Sequence, residues 1–167
     1  VVMVLDVSLS MQATDVKPNR LEAAKTAALT FLKNLPIQYN VSIVGLSGSP
    51  SVRLPPTTDR VQAQQAIRSF KVQESTAVGE SIYTALSALA LAPKGTDSSI
   101  APGAIVLLSD GQNTAGRSPA QAAAEAKKQN VPIYTIAYGT ENGYVDLDGK
   151  RDRVPPDPAA LKAISDL

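Results

Sequence analysis

The sequence predicts an α/β protein with a doubly wound, mostly parallel sheet and helices on both faces. Four short runs are β-branched and apolar at consecutive positions, which is the pattern of strands buried on both faces of a sheet. Helical patterns lie between these runs, and strands that alternate with helices form βαβ units with right-handed crossovers. The predicted buried strands are residues 1–5, 41–44, 104–108 and 133–137.

The first predicted helix begins just after Asn19. Asn19 and Glu22 have the three-residue spacing of a capping box, in which each side chain bonds the backbone amide of the other residue. After this cap, apolar side chains recur with the 3.6-residue spacing of a helix that buries one face. They are Leu21, Ala24, Ala28, Phe31, Leu32 and Leu35.

Four further helices are predicted along the chain. Residues 58–70 have a short helical pattern, and an apolar stripe with helical spacing runs through residues 78–89. Ser118-Pro119 and Asp157-Pro158 each place a capping residue before a proline, which is the favoured order at the start of a helix. A helix therefore separates the consecutive buried strands.

Two other segments are predicted strands outside the buried set. Residues 51–54 should form a short edge strand, because Pro55-Pro56 cannot donate to a ladder. Residues 144–147 and 150–154 should form a small polar hairpin, since Asp148-Gly149 supplies the positive φ angles of a type I′ turn. A solvated hairpin edge, rather than a second cation site, is expected for its alternating charges: Asp146, Asp148, Lys150, Arg151, Asp152 and Arg153.

Composition excludes several kinds of chemistry. The chain has 167 residues, with 16 Lys and Arg against 15 Asp and Glu, and it has neither His nor Cys. Thiolate or imidazole metal sites, cysteine nucleophiles, Ser-His-Asp triads and disulfides are therefore impossible, and any metal must be bound by oxygen. The near-zero net charge gives no basis for nucleic-acid binding. No apolar stretch approaches the roughly 20 residues of a membrane span.

Polar side chains follow two of the buried strands. Asp6, Ser8 and Ser10 come directly after the first strand, and alternate positions of an extended segment point the same way. Asp110 follows the third buried strand, and Thr76 precedes a helix. Because binding sites of doubly wound sheets lie beyond the carboxyl ends of the strands, we expect these side chains to converge there, with nothing basic among them. Carboxylates and hydroxyls suit a hard cation such as Mg²⁺, Mn²⁺ or Ca²⁺.

Neighbouring polar and aromatic residues have simpler interpretations. Asp15 and Lys17 are expected in a solvated loop, and Ser109 is expected to be a turn hydroxyl. Asn113 and Thr114 are expected to cap a helix or to turn the chain. The tyrosines expected in the core are Tyr134 and Tyr138, and the tyrosine expected at the surface is Tyr144.

Three motifs, in this order, resemble the metal-ion-dependent adhesion site (MIDAS) of von Willebrand factor type A (VWA) domains. They are Asp6-Val7-Ser8-Leu9-Ser10, Ser75-Thr76-Ala77-Val78-Gly79 and Leu107-Leu108-Ser109-Asp110-Gly111. The resemblance covers residues 1–167 and implies one domain with a Rossmann-like, mostly parallel six-stranded sheet and one short antiparallel edge strand. It also implies the metal ligands: Ser8, Ser10 and Thr76 bind Mg²⁺, and Asp6 and Asp110 bind it directly or through water.

Within that family, the chain is most similar to bacterial membrane-anchored proteins of the aerotolerance (Bat) type. The similar features are short loops, the run Ala137-Tyr138-Gly139-Thr140 and the hairpin around Asp148-Gly149. This resemblance implies transmembrane helices elsewhere in the full-length protein, so we expect a membrane-anchored protein whose VWA domain is soluble and extracytoplasmic. Two features depart from the family. Leu9 stands where glycine is frequent, and we expect the last strand to be truncated.

The favoured hypothesis is a metal-dependent protein-binding module and not an enzyme. Hydroxyl ligands leave a divalent ion under-neutralised, so an Asp or Glu of a protein partner can complete its octahedral shell. Two alternatives stay open: a Mg²⁺-dependent phosphate-ester hydrolase, and a metal that only ties the loops together. The hydrolase would need a second acid two residues after Asp6, where Ser8 stands, and a lysine at a strand end.

Overall fold

A central sheet of five strands organises the protein, and the computed structural model describes residues 1–93 and 102–167. The strands are β1 (Val2–Asp6), β2 (Val41–Leu46), β3 (Ser51–Thr57), β4 (Ile105–Ser109) and β5 (Ile133–Ala137). The helices are α1 (Arg20–Asn34), α2 (Arg60–Arg68), α3 (Val78–Ala90), α4 (Pro119–Lys128) and α5 (Pro158–Ser165), with a 3-10 helix at Leu9–Gln12. The strand order is β3-β2-β1-β4-β5, and only β3 is antiparallel to its neighbour. The predicted α/β class is therefore confirmed.

The strand order reverses at β1, which lies between β2 and β4. The chain moves outward from β1 to β2 and β3, then returns to β4 on the other side. In doubly wound sheets, such a reversal opens a crevice beyond the carboxyl ends of the two strands that flank it. Leu5 pairs with Leu108, so the polar residues that follow β1 and β4 begin side by side.

Two hydrophobic layers cover the two faces of the sheet. One layer packs Val2 and Val4 of β1 against α3, α4 and α5, and the other packs Met3 and Leu5 against α1 and α2. All five residues of β1 are buried, as predicted for a strand covered on both faces. Burial of one such side chain contributes about 1.5–3 kcal/mol, so β1 is a rigid base for the residues that follow it.

At the start of α1, one of the two hydrogen bonds of the predicted capping box is formed. The Asn19 Oδ1 accepts a hydrogen bond from the Glu22 backbone amide at 2.9 Å. The Glu22 carboxylate does not bond back to Asn19, because it accepts a hydrogen bond from Lys25 at 2.8 Å. The predicted cap is therefore confirmed, whereas its reciprocal bond is not formed.

The other helices begin close to their predicted positions. Asp157 caps α5 by accepting a bond from the Ala160 backbone amide at 2.9 Å, and Asp59 caps α2. Pro119 is the first residue of α4, although Ser118 makes no side-chain capping bond. Among the helices at residues 1–93 and 102–167, none combines the length and the apolar character that a membrane span requires.

The two edges of the sheet differ from the predictions in detail. β3 forms one edge, as predicted, and continues through Pro55-Pro56 with irregular register against β2. β5 forms the other edge of the sheet. Tyr134, within this strand, is 59% exposed, whereas Tyr138, the residue after it, is buried. The prediction that Tyr134 lies in the core is therefore wrong, because this face of an edge strand is uncovered. The described residues contribute five strands to the central sheet, one fewer than the family resemblance implies.

The predicted hairpin is present as β6 (Tyr144–Leu147) and β7 (Lys150–Arg153). Asp148 has φ 50° and Gly149 has φ 77°, as a type I′ turn requires. β6 contacts the 3-10 helix at Leu9–Gln12. The hairpin therefore stands beside the crevice at the carboxyl edge of the sheet.

Candidate metal centre

The ends of β1 and β4 bring two carboxylates into the interior of the protein. Asp6, the last residue of β1, and Asp110, the residue after β4, are both 0% exposed. The Asp6 Oδ2 accepts a hydrogen bond from the Ser109 Oγ at 2.5 Å, and its Oδ1 accepts one from the Ser8 backbone amide at 2.8 Å. The Ser109 hydroxyl also accepts a hydrogen bond from the Gly111 amide at 3.0 Å, so it is satisfied, as expected. Ser109 is nevertheless the last residue of β4, and it is a neighbour of the candidate ligand Asp6 as well as a turn hydroxyl.

Two serine hydroxyls lie beside this carboxylate pair. The Ser8 Oγ and Ser10 Oγ are 3.0 Å apart, with Ser8 buried and Ser10 half-buried. The chain turns into the 3-10 helix at Leu9–Gln12, which is a tighter turn than the extended or gently turning segment expected, and the two hydroxyls nevertheless meet. Leu9 is half-buried between them.

Thr76 is fixed between the other segments of the site. The loop that carries it is bonded to the end of β1, because the Gln73 amide donates to the Val7 carbonyl at 2.7 Å. On the other side, the Thr76 carbonyl accepts a hydrogen bond from the Thr114 amide at 2.8 Å. Thr76 is only 3% exposed. The loop therefore spans the space between the ends of β1 and β4.

Asn113 and Thr114 have the capping and turning roles that the sequence predicted. The Asn113 Oδ1 accepts a hydrogen bond from the Val78 amide at 2.8 Å, at the start of α3. The Thr114 Oγ1 accepts one from the Thr76 amide at 2.9 Å. The loop after β4 thus supplies the cap that Ala77, at the N-cap of α3, has no side chain to make.

Burial and repulsion act on the titration of Asp6. Loss of hydration is the main cause that raises its pKa to about 6, and the neighbouring Asp110 carboxylate is the second. Hydrogen bonds from Ser109 and Ser8 oppose this increase in pKa. Ionised Asp6 is therefore costly in the folded protein, and a bound cation would offset that cost.

The structure also places a basic residue in this cluster, contrary to the expectation of nothing basic. Arg20, the first residue of α1, is 0% exposed and donates from Nη1 to the Asp110 Oδ2 at 3.2 Å. Its Nε and Nη2 donate to the two oxygens of Asp15 at 2.8 and 2.7 Å. Sequence reasoning missed Arg20, although one signal was present: a cation in the first turn of a helix opposes the helix dipole and calls for an acidic partner.

Asp15 is correspondingly not in a solvated loop, and that prediction is wrong. Its side chain is 8% exposed, and the hydrogen bonds from Arg20 are the main cause that holds its pKa at about 2. The Thr140 backbone amide also donates to the Asp15 Oδ2 at 2.6 Å. Lys17 is exposed, as expected.

The side chains present fit a small hard cation. The donor set consists of two carboxylates and several neutral hydroxyls, and Mg²⁺ bound by few carboxylates keeps several waters. At residues 1–93 and 102–167, no group of three or more acidic side chains is arranged to hold a metal. A metal at this edge would therefore depend on hydroxyl oxygens in addition to Asp6 and Asp110.

A family model for the von Willebrand factor type A domain matches residues 1–112. That stretch contains the ends of β1 and β4 and all five candidate ligands. The chain belongs to the von Willebrand factor type A family. UPF0353 proteins of Mycolicibacterium gilvum and Mycobacterium leprae are 42% and 40% identical to this VWA domain over its whole length. The chain covers 52% of each of them, so it spans about half the length of these curated relatives.

Solved structures share the fold of this VWA domain. An aerotolerance-related membrane protein from Bacteroides fragilis has a TM-score of 0.87 at 23% identity, and the match covers 99% of this chain and 85% of that chain. BatB from Bacteroides thetaiotaomicron has a TM-score of 0.84 at 23% identity, with 99% and 84% covered. A proximal thread matrix protein from mussel byssus has a TM-score of 0.73 at 18% identity, with 98% and 38% covered. The predicted resemblance to VWA domains and to the Bat type is confirmed.

Proposed function

We propose that this VWA domain binds a divalent cation, Mg²⁺ or Mn²⁺, and uses it to capture an acidic side chain of a protein partner. The observation that carries the proposal is the pair of buried carboxylates, Asp6 and Asp110, beside the hydroxyl pair of Ser8 and Ser10. The proposed ligands, bound directly or through water, are Asp6, Ser8, Ser10, Thr76 and Asp110.

The open side of the site supports capture of a partner. Asp6, Ser8 and Thr76 are buried, whereas Leu9 and Ser10 are half-buried and therefore reach the surface. A partner carboxylate approaching over these two residues would complete the octahedral shell and supply the negative charge that hydroxyl ligands do not. Leu9 would then contact the partner without contacting the metal.

The hydrolase alternative is less well supported than binding. A phosphoryl-transfer site needs cationic groups that contact the substrate phosphate. Arg20 is bonded to the candidate ligand Asp110, yet it is fully buried, and its donors are directed to Asp15, Asp110 and the Val154 carbonyl. We therefore propose a non-catalytic role.

Two of the related structures are consistent with parts of this proposal. The mussel byssus protein, which shares the fold, holds zinc in its MIDAS motif. The protein from Bacteroides fragilis is described as a membrane protein. We propose that this VWA domain is likewise a soluble, extracytoplasmic part of a membrane-anchored protein.

Metal binding can be tested by isothermal titration of the 167-residue chain with Mn²⁺. Ser8→Ala should weaken binding because it removes one neutral ligand, and Asp110→Ala should weaken it more because it removes a charge. Asp146→Ala, which changes an exposed aspartate of the hairpin, is the matched control and should bind Mn²⁺ like the unchanged protein. If Ser8→Ala and Asp110→Ala also bind like the unchanged protein, the site assignment is wrong.

Partner capture needs a separate measurement. A short peptide that contains one Asp should increase the Mn²⁺ affinity of the domain, and the same peptide with Asn should not. Leu9→Gly should reduce the effect of the peptide without changing Mn²⁺ affinity in its absence. A Mn²⁺ affinity that no carboxylate ligand changes would favour a metal that only ties the loops together.

A further inference from the structure

The burial of Arg20 calls for a physical explanation. Its guanidinium is fully buried, although a buried ion loses its hydration and must recover that cost from its partners. It is also the first residue of α1, where the positive end of the helix dipole opposes a cation. Both effects are unfavourable, so the contacts of Arg20 must justify its position.

Those contacts join Asp110 to two other segments. Asp15 is held by two parallel bonds, from Nε and Nη2 at 2.8 and 2.7 Å, which is the bidentate geometry of a strong ion pair. The third nitrogen, Nη1, donates to the Asp110 Oδ2 at the longer distance of 3.2 Å. Nη2 also donates to the Val154 carbonyl, just after β7, at 2.9 Å. Arg20 therefore interacts more closely with Asp15 than with Asp110.

Two glycines allow the backbone to approach this ion pair closely. A Cβ atom added at Gly139 would lie 2.5 Å from the Arg20 Cζ, and one added at Gly143 would lie 2.6 Å from the Asp15 Oδ2. The Thr140 amide and hydroxyl, between these glycines, both donate to the Asp15 Oδ2. The chain after β5 thus encloses the pair and orients Asp15.

The formal charges of the cluster explain why Asp15 is present. Asp6, Asp15 and Asp110 carry three negative charges, and Arg20 carries one positive charge, which leaves −2. That net charge equals the charge of one divalent cation with opposite sign. Without Asp15, the uncompensated guanidinium would reduce the net charge to −1 and would repel a cation bound beside Asp110.

We propose that the Asp15–Arg20 ion pair sets the metal affinity of this VWA domain. Arg20 is a positioning residue that orients the Asp110 carboxylate, and Asp15 neutralises the repulsion that Arg20 would otherwise exert on the cation. Neither residue contacts the metal. This inference rests on the metal site proposed above and assigns its charge balance to two residues outside the three motifs.

The test compares Mn²⁺ affinity across charge variants of the pair. Asp15→Asn should weaken Mn²⁺ binding by about tenfold or more. It removes the negative charge that compensates Arg20, so the guanidinium repels the divalent ion through a partly buried medium, where charges are screened little. Asp15→Glu keeps the charge and should stay within about threefold of the unchanged protein. The double variant Asp15→Asn/Arg20→Gln restores the net charge of −2 and should recover most of the lost affinity.

Arg60→Gln is the matched control. Arg60 is also the first residue of a helix, α2, but it donates to the carbonyls of Pro36 and Tyr39, remote from the metal site. The Mn²⁺ affinity of the Arg60→Gln variant should equal that of the unchanged protein. Melting temperatures in EDTA, measured on every variant, separate loss of stability from loss of affinity.

The outcomes distinguish this inference from the proposed function. If the unchanged protein does not bind Mn²⁺, the proposed function fails and this inference fails with it. If the unchanged protein binds and Asp15→Asn binds equally well, only the inference is overturned. The inference is also overturned if Asp15→Glu is as weak as Asp15→Asn, if the double variant is no tighter than Asp15→Asn, or if Arg60→Gln shows the same loss. If the double variant does not fold, the Mn²⁺ affinities of Asp15→Asn and Asp15→Glu are compared, and the inference requires Asp15→Glu to bind more tightly.

Discussion

Two regions of this domain each hold three aspartates, and they balance the negative charge differently. The hairpin has Asp146, Asp148 and Asp152 with Lys150, Arg151 and Arg153. The cluster around Arg20 has the buried Asp6 and Asp110 and the nearly buried side chain of Asp15, and among the described residues Arg20 is the cation bonded to these aspartates. On the hairpin the charges cancel, and the ion pairs are exposed to water, as in the Arg151–Asp146 pair at 3.1 Å. In the cluster the charges do not cancel, although unbalanced charge costs most where it is buried. An unbalanced charge of this kind is what the proposed cation site requires, whereas the hairpin charges need no further partner.

The largest contrast should come from removing one arginine in each region. Arg20→Met leaves Asp15 and Asp110 without their buried partner, and breaking such a pair costs about 3–5 kcal/mol of unfolding free energy. Arg151→Met removes an exposed partner and should leave the urea midpoint unchanged. The measurement is urea denaturation of both variants in EDTA. Equal midpoints for the two variants would show that the Arg20 contacts contribute no more than surface ion pairs do.

The next contrast is one of pH. Because the pKa of Asp6 is raised from 3.8 to about 6 in the folded protein, its protonated form is favoured by folding. The contribution of Asp6 to stability is therefore fully present below about pH 4 and is lost as the pH rises through 6, by about 3 kcal/mol in total. Asp15 has the opposite sign, since its pKa is lowered to about 2, and its contribution is lost only as the pH falls below about 4.

Urea denaturation in EDTA between pH 4 and pH 7 isolates the effect of Asp6. The unchanged protein should lose stability across this range, and Asp6→Asn should be nearly independent of pH. Saturating Mg²⁺ should flatten the profile of the unchanged protein, because a bound cation keeps Asp6 ionised. A profile that stays equally steep in Asp6→Asn would show that another group is responsible.

A matched pair of glycines compares the packing of the two regions. Gly143→Ala places a methyl group against Arg20 and Asp15 and should cost about 3 kcal/mol, the upper part of the range for overpacking. Gly149→Ala meets nothing within 4 Å and should cost about 1 kcal/mol, because its φ of 77° is unfavourable for a residue with a Cβ. Only Gly143→Ala should also change Mn²⁺ affinity. The two unfolding free energies and one titration check this prediction, and equal costs for the two changes would count against it.

Sequence patterns predicted the strands, helices and turns that depend on local periodicity and turn chemistry. The consecutive apolar residues of β1 and the Asp148-Gly149 turn are examples, and both are confirmed. The approach of Asp6 and Asp110 also followed from topology, since parallel strands end at one edge. Their role as metal ligands stays a prediction.

Contacts across long sequence separations were not predictable in the same way. Arg20 and Asp110 are 90 positions apart, and no periodic pattern relates them. The buried state of Asp15 depends on Arg20 and on the Thr140 amide, so it could not be inferred from its own surroundings in the sequence. Tyr134 has the same apolar context as Tyr138, and only the position of β5 at the edge leaves it exposed.

The smallest effect should come from the same Asp-to-Asn change on the hairpin. Asp146→Asn removes one partner of an exposed ion pair, whose two side chains are 62% and 60% exposed, and such pairs contribute little. Arg151 would still stack on the Tyr144 ring at 4.0 Å, so the hairpin keeps a contact that does not depend on Asp146. The unfolding free energy should match that of the unchanged protein within error, at both about 0.05 M and about 1 M NaCl. Asp15→Asn, the same chemical change beside a buried arginine, should be clearly destabilised at both salt concentrations because buried pairs are screened far less. If Asp146→Asn were as destabilised as Asp15→Asn, the hairpin charges would be structural, and the contrast between the two groups of aspartates would not hold.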